Sequence, residues 1–176
     1  GTDTPIDGWA ECPTTGLVNL PGLAMPTTAG SDIDMDNVTG GVLTDPTIND
    51  STFFKYGDLD WNELVAMATK IYPTGNVGPL NQLRAYGTAT TCSTGILGNW
   101  GDPLRAAATA GCWNYFPIIY VNGDLKMTGG YGQGILLVAG DMEVAGRAEF
   151  FGPAIIRGSL KSTGTGGHFN GGVMAA

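Results

Sequence analysis

Charge is scarce in this chain, and positive charge scarcest: 8 Lys and Arg stand against 16 Asp and Glu in 176 residues, for a formal charge of −8. A surface of that sign repels phosphate backbones and anionic head groups, which excludes nucleic acid as a partner class. Histidine occurs once, as His168, with no Ser or Cys nucleophile at a recognisable motif spacing from it. The reading is therefore non-enzymatic, with His168 as a corner residue. No apolar run approaches the ~20 residues that cross a bilayer, and the Gly1-Thr2-Asp3 start has no basic segment leading into an apolar one. Direct membrane insertion is not expected. Cysteine is limited to Cys12, Cys92 and Cys112, and none stands in a C-x-x-C pair, so zinc and dithiol motifs are excluded.

What is abundant is glycine, at 29 residues, set among β-branched side chains without the three-residue period of collagen. That composition belongs to a turn-dense, mainly β fold, and 43% hydrophobic content over this length suits one domain spanning residues 1–176. Alignment on Gly123, Gly140 and Gly158 exposes a repeat of 17 and then 18 residues. Val121, Val138 and Ile156 precede those glycines by two positions. Leu125, Met142 and Leu160 follow by two, and Gly129, Gly146 and Gly164 by six. Phe151 and Phe169 recur as aromatics. Short strands joined at glycine corners and stacked at the ~4.8 Å strand spacing make a parallel β-solenoid, here of about three coils over residues 116–176.

Alternation points Ile119, Leu136 and Ala154 inward with the valine column, and turns Tyr120, Leu137 and Ile155 outward. An apolar outward column requires a cover: either the N-terminal half of the chain or, as an interaction site, another protein. The best cover is Trp61–Tyr72, whose Trp61, Leu64, Val65, Ala68 and Ile71 share one side at helical spacing. Asp60 as N-cap and Glu63 three residues on complete a capping-box pattern, and Pro73 ends it, predicting a flanking amphipathic helix of three turns. The rest of residues 1–115 is irregular, with strand candidates at Asp32–Val38 and Gly41–Leu43.

Carboxylates offer two patterns. Asp124, Asp141 and Ser159 form an outward column beside Lys126, Glu143 and Lys161, either a solvated ladder or a pair of aspartates able to share a proton or cation. Asp32, Asp34 and Asp36 form D-x-D-x-D, the opening of a calcium loop, although the EF-hand glycine and glutamate are replaced by Asn37 and Leu43. Alternating aspartates on the wet face of a strand explain the same pattern. Calcium at these three residues is the one cofactor the sequence suggests. Asn37 and Asn49 head formal glycosylation tripeptides. Cys92 and Cys112 bracket a Gly-, Asn- and Thr-rich loop and are the expected disulfide, leaving Cys12 over.

Several segments carry a family resemblance. They are Tyr115-Phe116-Pro117-Ile118-Ile119, the run Gly132-Gln133-Gly134-Ile135-Leu136-Leu137-Val138-Ala139-Gly140-Asp141, the run Phe151-Gly152-Pro153-Ala154-Ile155-Ile156-Arg157-Gly158, and Thr163-Gly164-Thr165-Gly166-Gly167-His168. With Asp50-Ser51-Thr52-Phe53-Phe54, Gly57-Asp58-Leu59 and Asn99-Trp100-Gly101-Asp102-Pro103, the chain from about Asn49 onward resembles bacterial PilX-like pilus-assembly proteins. The resemblance implies a periplasmic or extracellular, envelope-associated protein, and the Cys92–Cys112 bridge agrees with that oxidising compartment.

The leading expectation is a structural or assembly component, pilus-like or membrane-associated, whose partners are other envelope proteins or copies of itself. An extrinsic accessory subunit that stabilises a larger membrane complex through its first 50 residues is the alternative. A carbohydrate-binding module using Trp9, Trp100 or Trp113 as stacking platforms is the third.

Overall fold

The computed structural model describes residues 23–26, 41–53, 55–81 and 83–175. The chain forms two compact units, Gly1–Thr52 and Phe53–Ala176. In the first unit β1 (Leu23–Met25) and β2 (Val42–Thr44) pair in parallel, with Leu23 opposite Val42. The expected strand at Gly41–Leu43 corresponds to β2. The Asp32–Val38 candidate lies outside the described residues.

The second unit opens with a small antiparallel hairpin, β3 (Lys55–Tyr56) and β4 (Leu59–Asp60), which leads into α1 (Trp61–Ala66). From there the chain winds as a solenoid with three parallel sheets. The first stacks β5 (Lys70–Tyr72), β7 (Ile118–Val121), β10 (Ile135–Val138), β13 (Ala154–Ile156) and β16 (Val173–Ala175). The second stacks β6 (Val77–Leu80), β8 (Leu125–Met127), β11 (Met142–Val144) and β14 (Leu160–Ser162). The third stacks β9 (Tyr131–Gln133), β12 (Ala148–Phe151) and β15 (Gly167–Asn170).

The chain is mainly β, with 40% strand and 8% helix, and its stacked parallel coils make a β-solenoid of about seven turns. The sequence repeat revealed three, and one of the coils it missed is hidden for a physical reason. The coil of β5 and β6 precedes a long insertion, residues 84–117, which breaks the 17–18-residue stride before β7 resumes it.

The columns read from the sequence are realised in register. Val121, Val138 and Ile156 stack, as do Ile119, Leu136 and Ala154, and both sets are almost fully buried in the solenoid interior. Leu125, Met142 and Leu160 also stack. The aromatic column differs by one residue, since Phe150 and not Phe151 stands opposite Phe169. The third coil is thus one residue longer at that corner, and Phe150 with Phe169 faces the core.

The expected three-turn helix is shorter. Only Trp61–Ala66 is helical, and Lys70–Tyr72 instead forms β5, pairing with Ile119–Val121. Parallel pairing with β7 gives the backbone of β5 long-range hydrogen bonds and buries Tyr72, which outweighs the helical periodicity that Ala68 and Ile71 suggest.

Candidate functional site

Three surfaces and one interior cluster could carry function. The first is the outward apolar column, where Tyr120, Leu137 and Ile155 lie side by side on adjacent strands. Leu137 and Ile155 are buried, and Trp61 and Leu64 of α1 pack on them. Trp61 meets the Tyr120 ring edge-on at 6.2 Å, and the Arg157 guanidinium lies 5.5 Å from the Trp61 ring centre. The capping box fixes where the helix starts: Asp60 Oδ1 accepts the Glu63 N–H, and Glu63 Oε2 accepts the Asp60 N–H, both at 2.8 Å. Of the two covers expected for Tyr120, Leu137 and Ile155, the chain's own helix lies on Leu137 and Ile155, and Tyr120 stays partly exposed beside it. The chain supplies its own cover, removing the column from water by short-range packing.

The second surface is the aspartate ladder. Asp124 Oδ1 accepts the Asp141 N–H at 2.9 Å, and Asp141 Oδ1 accepts the Ser159 N–H at 2.8 Å. Each aspartate thereby fastens one coil to the next. Glycine makes this possible, because a β-carbon at Gly140 would stand 2.2 Å from Asp124 Oδ1, and one at Gly158 2.3 Å from Asp141 Oδ1. Beside the ladder, Lys126 Nζ lies 2.9 Å from Glu143 Oε1, and the Thr163 hydroxyl donates to the same oxygen at 3.0 Å. Those two donors, Lys126 first, hold the Glu143 carboxyl below its ordinary range. The ladder and these charges line a shallow, open groove of about 450 Å³. The oxygens that face each other across coils are committed to backbone donors, so the ladder is an inter-coil clamp.

The interior cluster lies where the 84–117 insertion meets the solenoid, and no periodicity marks its residues. Lys70, Asn99, Asp102 and Gln133 are all buried. Lys70 Nζ donates to the carbonyls of Thr94 and Ile96, and burial pushes its pKa down. Asn99 Nδ2 donates to Tyr86 O at 2.9 Å and Ser93 O at 3.0 Å, while its Oδ1 accepts the Gly101 N–H. Gln133 Nε2 donates to Trp113 O at 2.7 Å and Tyr115 O at 2.9 Å. The Thr109 hydroxyl donates to Asp102 Oδ2 at 2.7 Å. Lys70, Asn99 and Gln133 satisfy loop carbonyls that would otherwise be buried without partners and so seat the insertion, whereas Asp102 only accepts, and its Oδ1 is buried without a hydrogen-bond partner among the described residues. The Asn99–Pro103 stretch, noted from sequence only as part of a resemblance, supplies two of the four.

The remaining candidates are placed as follows. Cys92 and Cys112 form a disulfide within the insertion. Asp32, Asp34 and Asp36 lie outside the described residues, as do Cys12 and Trp9. Trp100 is fully buried and cannot act as a stacking platform, while the Arg105 guanidinium sits 3.6 Å above the Trp113 ring. His168 is exposed and stands opposite Glu149. Asn49 Oδ1 caps a local turn by accepting the Ser51 N–H and hydroxyl. Among the described residues no helix is long and apolar enough to cross a membrane.

The third surface is formed by β14, β15 and β16, which among the described residues are the outermost strands of their sheets and pair on one side only. Leu160 and Val173 are exposed there, and Phe169 and Ala175 are only partly buried against the core. Fold and surfaces together define a parallel β-solenoid protein whose lateral apolar column is covered by its own helix. Comparison with protein-family models, curated proteins and solved structures finds no match to the chain.

Proposed function

We propose that this protein is a non-enzymatic assembly component of a bacterial cell envelope, pilus-like or otherwise membrane-associated, located in the periplasm or outside the cell. The observation that carries the reading is the in-register stacking of coils that ends on β14, β15 and β16 in the described residues. Among those residues the three strands pair on one side only, around an interior cross-section that holds Phe169, Ala175 and the exposed Leu160 and Val173. Edges of this kind template the addition of a further strand or coil.

The coil that fits best is one from a second copy, because the inward columns of one solenoid present the spacing and side chains that the next requires. The lateral column favours the same conclusion by elimination, since α1 already occupies it. The sequence resemblance to PilX-like proteins and the disulfide agree with an extracytoplasmic setting.

Amide hydrogen exchange in β14, β15 and β16, followed over a range of protein concentrations, tests the reading. Protection that rises with concentration in those strands and nowhere else supports coil addition. Exchange in the terminal coil that is independent of concentration overturns it.

A further inference from the structure

The chain contains the dipeptide Asn-Gly twice among the described residues, at Asn122-Gly123 and at Asn170-Gly171. Asparagine followed by glycine is the arrangement most open to spontaneous succinimide formation, because glycine has no side chain to hinder its own nitrogen and leaves the backbone free to bend toward the amide. The two copies occupy equivalent chemical settings but different physical ones.

Both asparagines are exposed. Asn122 is tethered at both ends of its amide: Nδ2 donates to Pro73 O in the preceding coil at 2.7 Å, and the Tyr120 hydroxyl donates to Oδ1 at 3.0 Å. Those two bonds resist the side-chain rotation that an attack by the Gly123 nitrogen on Asn122 Cγ requires. The Asn170 side chain has no hydrogen-bond partner among the described residues, and neither does the Gly171 N–H. Packing nevertheless demands glycine at 171, because a β-carbon there would stand 2.3 Å from Gly152 O. The stacking of the last coil thus fixes a reactive pair on an exposed outer strand.

We infer that Asn170 is a site of spontaneous deamidation and isoaspartate formation, and that Asn122 is protected from the same reaction by its two tethers. The Gly171 nitrogen attacks Asn170 Cγ and forms the imide C–N bond. The Cγ–Nδ2 bond breaks and the amide leaves as ammonia, carrying the proton lost by Gly171. Water then opens the ring at either carbonyl, giving aspartate or isoaspartate, so the co-reactant is solvent alone.

The product has a structural consequence. Asn170 stands opposite Phe151, and its carbonyl accepts the Gly152 N–H at 3.0 Å. An isoaspartyl linkage places an extra methylene in the main chain of β15 next to that bond, and either product adds a negative charge to the terminal coil. The inference concerns the chemistry of Asn170 and does not depend on the proposed assembly.

The experiment is incubation of the full chain in neutral buffer, with samples digested and analysed by peptide mass spectrometry over time. The expected result is conversion of the Asn170 peptide by the mass of O replacing NH, with an isoaspartyl isomer resolved by chromatography, while the Asn122 peptide stays unchanged. In Tyr120→Phe, which removes one tether, Asn122 conversion should rise above wild type. Asn170→Gln should abolish the product. Equal rates at the two asparagines, faster conversion at Asn122, or an intact Asn170 would each overturn the inference.

Discussion

Gly132 faces Trp100 so closely that a β-carbon on the glycine would stand 2.7 Å from the Trp100 Cβ. In the coils that follow, the position of Gly132 is taken by Phe150 and then Phe169. Trp100 meets Phe150 edge-on at 6.1 Å, and Phe150 meets Phe169 at 6.4 Å. The insertion therefore supplies by tertiary packing the aromatic side chain that its own coil omits. Trp100→Ala should cost about 3–5 kcal/mol in denaturant unfolding, as expected for a buried aromatic. Gly132→Ala should also destabilise, by about 1–3 kcal/mol through overpacking. A near-neutral Gly132→Ala would show that the ring is not wedged there.

The aspartate clamps predict a graded response. Asp124→Ala removes the acceptor for the Asp141 N–H and should cost about 1 kcal/mol, with Asp124→Asn milder because an acceptor oxygen remains. Gly140→Ala should exceed both, since its β-carbon collides with Asp124 Oδ1. Equilibrium unfolding of the three variants gives the order.

Glu143 gives the chain a pH-dependent contribution with a defined sign. Its folded pKa is lowered from 4.5, chiefly by Lys126, so the stability it adds is fully present above pH 4.5 and disappears as the pH falls through the lower folded value. Thermal melts across that acid window should show a smaller loss for Glu143→Gln than for wild type, and the difference should shrink in high salt.

Closure of the insertion by Cys92 and Cys112, 20 residues apart, is worth roughly 3 kcal/mol of chain entropy. The double alanine variant should unfold at correspondingly lower denaturant concentration. The first segment to lose exchange protection should be the insertion, which frees the carbonyls that Asn99 and Gln133 hold.

Legibility in the sequence followed repetition. Columns such as Val121, Val138 and Ile156 could be read because identical side-chain types recur where coils of nearly equal length superimpose. Lys70 hid the earlier coil. It stands opposite Ile119, at the head of an inward apolar column, and a lysine there looks like solvent-facing helix. Only the fold reveals the Thr94 and Ile96 carbonyls that receive its ammonium. The cover on Leu137 and Ile155 was legible from the amphipathic spacing of Trp61 and Leu64, whereas the place where helix gives way to strand was set by pairing with β7. Asn99 and Asp102 carry no periodicity, so their burial could not be read locally.

Coil addition at β14, β15 and β16 is read out by light scattering after gel filtration. Wild type should be compared with the Leu160→Lys and Val173→Lys double variant over a broad concentration range. Charges on those two exposed, inward-column positions should block the addition of a further coil, and circular dichroism of the monomer checks that the buried coils stay folded. Wild type should form dimers or larger species with rising concentration while the folded variant remains a monomer. A wild-type protein that stays monomeric at every concentration, or a variant that associates equally well, would contradict it.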